Sequence, residues 1–89
     1  MLMMMKGDEC QQWNLLADKH IGGGRHRYAS TLSDCQKQCV DDYRSTGIDW
    51  NADNARHLGC WIHGPWSGDN PMEDGGSKFD HYRLYRTYC

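Results

Sequence analysis

The sequence has no apolar run approaching the roughly 20 residues that a membrane-spanning helix needs, so membrane insertion is not expected. It has little excess charge. The formal net charge is −2, and the basic residues are scattered apart from Arg25-His26-Arg27 and the Arg83/Arg86 pair. A nucleic-acid or anionic-membrane partner held by bulk charge is therefore not expected. Hydrophobic residues make up only 38% of 89, against about 45–50% in ordinary globular chains. That implies one domain with a small core, of the kind that needs covalent or metal reinforcement. The motifs of common hydrolases are missing too: there is no Gly-x-Ser-x-Gly, no His-Glu-x-x-His and no cysteine in a protease-like setting. No catalytic activity and no cofactor are expected. No Asn-x-Ser/Thr glycosylation site occurs.

What the chain does have is five cysteines, at Cys10, Cys35, Cys39, Cys60 and Cys89. Cysteines near both ends of a polar 89-residue chain point to a disulfide-stapled extracellular fold. A bridge closing most of the chain would contribute about 4 kcal/mol by chain entropy. Five cannot all pair within one chain, so one thiol is free, joined to another chain, or bound to metal.

Residues 1–7, beginning Met1-Leu2-Met3-Met4-Met5-Lys6, are too short for a complete signal peptide. They are expected to be a disordered extension or a signal or expression remnant, with the folded domain spanning 8–89. Between Asp8 and His20, Trp13 and Leu15 alternate as in a strand. Gly22-Gly23-Gly24 is a turn, because the helix that a phosphate-binding glycine loop requires comes too late. Thr31 with Asp34 resembles a capping box and starts a helix expected to reach about Asp42. Leu32, Cys35 and Cys39 then share its buried face, with Gln36, Lys37, Asp41 and Asp42 towards solvent. Gly47-Ile48-Asp49-Trp50 and Gly59-Cys60-Trp61-Ile62-His63 form a hairpin across a turn at Asn51 to Asn54. Cys60 and Ile62 share one face, Trp61 and His63 the other. Gly64 to Asp80 is expected to be a long loop. His81 to Cys89 is an alternating aromatic strand that returns Cys89 towards Cys10.

The ordered set Cys35-Gln-Lys-Gln-Cys39, Gly47-Ile-Asp-Trp-Asn51, Cys60-Trp-Ile-His63 and His81-Tyr-Arg-Leu-Tyr-Arg86 resembles the PAN/apple domain family, over about residues 10–89. The resemblance implies a small α+β, disulfide-stapled domain, with one helix packed on a five- to six-stranded antiparallel β-sheet. It implies bridges Cys10–Cys89 and Cys35–Cys60. The usual partner of Cys39 would fall where this chain has Ser45 (or Thr46, with a one-residue slip), leaving Cys39 as the odd thiol. Cys39 is then a buried inert thiol, an intermolecular bridge, or a reactive or metal-binding group.

Candidate ligand-binding residues are Trp61, His63, Trp66, Arg83 and Arg86, since aromatics and arginines anchor interfaces and aromatic faces stack on sugars. Trp50 is expected in the core and Trp66 at the surface. Cys35, Cys39, Cys60 and His63 have a spacing that could surround zinc. Asp69, Asn70, Glu73, Asp74 and Asp80 gather oxygen ligands but fit no EF-hand, so a solvated loop is expected and no metal site is assigned. Lys6-Gly7-Asp8 is a possible adhesion tripeptide. The expectation is a secreted, extracellular, non-catalytic recognition or adhesion module for a protein or glycan. The alternative is a structural protein that self-assembles into homo-oligomers or fibres through Cys39. A zinc-stabilised module is the third reading.

Overall fold

The computed structural model describes residues 9–51, 53, 58–68, 70–74 and 78–88. Seven strands and one helix follow in the order β1 (Glu9–Leu16), β2 (Lys19–Ile21), β3 (Arg25–Arg27), α1 (Leu32–Asp41), β4 (Gly47–Asn51), β5 (Cys60–His63), β6 (Met72–Asp74) and β7 (Phe79–Tyr88). A 3₁₀ turn spans Pro65–Ser67. Five strands form one sheet in the order β1-β7-β4-β5-β3, and β2 and β6 form a second. Every described pairing is antiparallel. The class is α+β, and no helix among the described residues is long and apolar enough to cross a membrane.

The helix begins where its cap dictates. Thr31 Oγ1 accepts from the Asp34 amide at 3.0 Å, and the Asp34 carboxylate accepts from the Ser30 amide at 3.3 Å. Two amides at the helix start are thereby satisfied. Cys35 and Cys39 face inward and are fully buried. The C-terminus has no basic residue of its own. Arg86 of β7 supplies the cation: its guanidinium donates to the carbonyls of Val40 (3.1 Å) and Asp42 (2.8 Å) and to Ser45 Oγ (2.8 Å). A cation against the negative end of a helix is favourable.

The main core lies between the helix and one face of the larger sheet. Ala29, Cys35, Cys39, Ile48, Trp50, Cys60, Ile62 and Leu84 form it, with Trp13, Leu32, Val40, Trp66 and Tyr82 packed around. Cys35 and Cys60 form a disulfide across this layer. In the chain-entropy model a bridge between residues 25 apart contributes about 3.5 kcal/mol. Cys10 is also disulfide-bonded; its expected partner, Cys89, lies outside the described residues, as do residues 1–8 with the Lys6-Gly7-Asp8 tripeptide.

Two sequence expectations are corrected, and one strand was not foreseen. The N-terminal strand is two strands, because the chain turns at Asp18, whose φ of 59° is left-handed. Aspartate tolerates that conformation better than most residues. The 64–80 segment is not a structureless loop: it carries the Pro65–Ser67 turn and β6. Arg25–Arg27, read as a basic run, is an edge strand paired with β5. The result is a five-stranded sheet plus a separate two-stranded one.

Candidate functional site

Strand alternation places two sets of residues on opposite faces of β4, β5 and β7. Ile48, Trp50, Cys60, Ile62 and Leu84 serve the helix face. Gly47, Asp49, Trp61, His63 and His81 point the other way, towards β2 and the glycine segment after it. Asp49 stands directly opposite both Trp61 and His81, and His63 is its diagonal neighbour across from Gly47. Cross-strand neighbours of this kind have side chains within reach of one another.

The outcome is a buried polar cluster. Asp49, His63 and His81 are 3%, 1% and 2% exposed. His63 Nε2 lies 2.7 Å from Asp49 Oδ2, and His81 Nδ1 lies 2.8 Å from Oδ1. The Ile21 amide donates to Oδ2 at 3.0 Å. Burial works to raise the Asp49 pKa. The hydrogen bonds from His63 and His81, the electrostatic pull of His63 and the Ile21 amide outweigh it, and the carboxyl sits below the ordinary aspartate value. An ionised Asp49 only accepts, so the two ring nitrogens facing it carry the protons. His63 Nδ1 meets the Ser67 hydroxyl at 2.7 Å, and Ser67 Oγ reaches the Gly23 carbonyl at 3.3 Å.

Two glycines make room for the rings. A Cβ on Gly24 would stand 2.8 Å from His63 Cε1, and one on Gly47 would stand 3.0 Å from His81 Nε2. Both contacts are too short for any other residue without movement.

A cleft of about 210 Å³ opens beside the cluster. Ile21 to Gly24, His20, Phe79, Trp61 and Asp49 line it. The Trp61 ring is 4.9 Å from that of His26, which in turn meets Tyr28 edge-on at 5.6 Å. Tyr28 is 70% exposed, so a strip of aromatic rings runs from the surface to the cleft wall. Two ring nitrogens in this region, His20 Nδ1 and His26 Nε2, are buried without a hydrogen-bond partner. Ser67, His63 and Asp49 form the residue set of a hydrolytic relay, but Ser67 is 5% exposed and does not line the cleft.

The other residues singled out from the sequence lie apart. Trp66 packs against the helix-side core and donates its indole N–H to the Ile62 carbonyl at 2.9 Å. Its ring is covered by the guanidinium of Arg25 at 4.2 Å and that of Arg44 at 5.4 Å, so it is not the exposed residue expected. Arg83 is exposed on β7. Arg86 is engaged with the helix end. The four-ligand zinc arrangement does not form: Cys35 and Cys60 are joined to each other, and His63 lies on the opposite face of β5 from Cys60. The suggested calcium ligands disperse to separate partners. Asn70 donates to the Gly22 carbonyl, Asp74 pairs with Lys19, Glu73 faces His20, and Asp80 accepts from the Asp18 amide. Asp69 lies outside the described residues.

Cys39 is free and fully buried. Its thiol lies 3.2 Å from Ser45 Oγ and 3.6 Å from the Gly47 carbonyl. Burial pushes its pKa up, against the lowering effect of Ser45, Arg86 and Gly47.

Asp49, His81, His20 and Phe79 were missed as site residues. The signal for the first two was available: with Trp61 and His63 on one face of the hairpin, antiparallel alternation assigns Asp49 to the same face. Compared with known proteins, the chain matches no family model, no curated protein and no solved structure.

Proposed function

We propose that this chain is an extracellular, non-catalytic recognition domain of PAN/apple type, and that the cleft beside Trp61 takes a saccharide. The observation that carries the reading is the aromatic strip Tyr28–His26–Trp61 leading to a cleft walled by Trp61, Phe79, Ile21 and the glycine backbone, with Asp49 and His20 as its polar groups. Aromatic faces receive the C–H face of a sugar, and Gly22 to Gly24 present backbone amides and carbonyls at close range. His20 Nδ1, on a residue of the cleft wall, lacks a partner, and an unsatisfied buried nitrogen is a place where a ligand hydroxyl gains most. The volume is below the roughly 300–1,000 Å³ of sites for drug-sized ligands, which fits one sugar ring rather than a chain. The Cys35–Cys60 bridge supports an oxidising compartment.

Covalent self-assembly through Cys39 is not favoured, because its sulfur is 0% exposed and the helix would have to come away to reveal it.

The test is titration of the isotope-labelled chain with a panel of neutral, amino and acidic monosaccharides, followed by NMR. Saturable shifts at the Trp61 indole and the Gly22 to Gly24 amides are expected, and are lost in Trp61→Ala but kept in Tyr43→Ala. Tyr43 is exposed and not on the cleft wall. A panel that leaves those resonances unmoved refutes the saccharide reading.

A further inference from the structure

We propose that Asp49, His63 and His81 form a binding site for one divalent transition-metal ion of the zinc class, facing the cleft. The inference does not rest on the saccharide reading.

Three observations support it. The donor set is one carboxylate and two imidazoles, which suits zinc, iron, cobalt or nickel rather than calcium or magnesium. One ligand atom from each residue lies within 4.8 Å of the others. Tetrahedral ligands at about 2.0–2.1 Å from zinc stand roughly 3.3 Å apart. The two Asp–His contacts, at 2.7 and 2.8 Å, are shorter than that because protons, not an ion, now hold the groups together. Modest opening of the two contacts, with the rings drawn together, makes the site.

The surrounding groups are arranged as outer partners of metal ligands are. A metal-bound histidine usually donates its second ring N–H to a fixed acceptor. His63 has that acceptor in Ser67 Oγ at 2.7 Å, and the Ser67 hydroxyl can in turn donate its hydrogen bond to the Gly23 carbonyl. Moving one proton of His63 from Nε2 to Nδ1 therefore frees that ligand atom and keeps the His63–Ser67–Gly23 relay satisfied; His81 must likewise move its proton from Nδ1 to Nε2 to offer the nitrogen that now faces Asp49. The Ile21 amide fixes one oxygen of Asp49. Asp49 also lines the cleft, the side from which water or an exogenous ligand would reach the ion.

Charge points the same way. The partners of Asp49 among the described residues are two imidazoles and a backbone amide, so among those residues no lysine or arginine pairs with this buried carboxylate. Buried charges are normally paired or coordinate metal. A dication would complete the site.

The experiment uses the untagged, oxidised chain, stripped with chelator and titrated with zinc and with cobalt(II). One equivalent bound per chain is expected, with a visible cobalt spectrum of nitrogen and oxygen ligands and no thiolate charge-transfer band. Affinity should fall at least 100-fold in His81→Gln, about 10–100-fold in Ser67→Ala, and stay unchanged in Cys39→Ser. Should His81→Gln fail to fold, imidazole-nitrogen NMR of the unaltered chain decides: zinc must shift His63 and His81 and leave His26 in place. Absence of saturable binding, a thiolate band, or equal affinity in a folded His81→Gln overturns the proposal.

Discussion

Arg86→Ala offers a quantitative check on how the helix is anchored. With the described residues the guanidinium makes five contacts within 3.5 Å, four of them through Nη2, at Asp42 O, Ser45 Oγ, Cys39 O and Ser45 O. Nη2 carries two hydrogens, so the two 2.8 Å contacts, to Asp42 O and Ser45 Oγ, take them. With Nη1 to Val40 O at 3.1 Å, three bonds remain. Each charge-assisted bond contributes about 1.5 kcal/mol at the low end. The site is part-buried, so water replaces some of what is lost, and the expected cost is roughly 2–4 kcal/mol. For a domain of this size each kcal/mol moves the melting temperature by about 4–8 °C, so a fall of roughly 8–32 °C follows. Thermal and urea unfolding followed by circular dichroism measure it. Arg83→Ala, two residues earlier and exposed, is the control and should stay within about 0.5 kcal/mol. Equal effects from the two variants would refute the assignment of Arg86 to the helix end and return it to the surface role suggested by sequence.

Gly24→Ala should cost about 1–3 kcal/mol, because the new methyl meets a His63 ring held at both nitrogens and cannot push it aside; a melting temperature equal to that of the unaltered chain would sink the argument. Ser45→Cys should close a bridge to Cys39, whose sulfur already stands 3.2 Å from Ser45 Oγ. The short loop contributes about 2 kcal/mol, and the lost hydroxyl bonds to Arg86 and Asp42 cost about 1 kcal/mol each, so net stability barely moves and the alkylation count decides: one free thiol before, none after. The Cys39 thiol predicts alkaline behaviour. Its folded pKa is raised above the ordinary 9.0, so its contribution to stability is complete below pH 9.0 and declines as pH rises from there through the folded value. Tyr82, also raised by burial, joins only above its ordinary 10.0. Denaturant melts between pH 8 and 10 should show the decline in the unaltered chain and a flatter profile in Cys39→Ala; parallel profiles would contradict it.

The parts of this fold that were legible in the sequence are those fixed by neighbours along the chain. Thr31 and Asp34 announced the helix start, and Leu32, Cys35 and Cys39 announced its inner face, because capping and 3.6-residue periodicity are local. The hairpin strands announced themselves by alternation. Asp49 was harder. Between Ile48 and Trp50 it takes the polar slot of an alternating strand, which normally faces water. Here that slot is buried, because β2 and the glycine segment after it lie over it, with β2 paired to β6 by a register of three residues across 55 positions of chain (Lys19 with Asp74). Three-residue strands carry almost no periodic signal, and their pairing is set by tertiary context. Arg86 was misplaced for a related reason: an arginine on an alternating strand looks like a surface group unless the helix end that needs it is already known to lie beneath.

The same three strands thus have two buried faces of opposite character. On the helix side, Ile48, Trp50, Ile62 and Leu84 gain from leaving water. On the other, Asp49, His63 and His81 are removed from water at a cost that hydrogen bonds only offset. Replacing a buried polar network of this kind by apolar groups of similar volume is often neutral or stabilising. By that rule, closing this face with leucine and phenylalanine would often leave such a domain as stable or more so. It instead keeps an ionised carboxylate, two imidazoles and two glycines cut to fit them, next to an open cleft. Stability alone does not require that choice, and it is the arrangement that the ligand and metal sites proposed above would use. That is why the polar face, rather than the helix face with its bridge and buried thiol, is where ligand and metal should be sought.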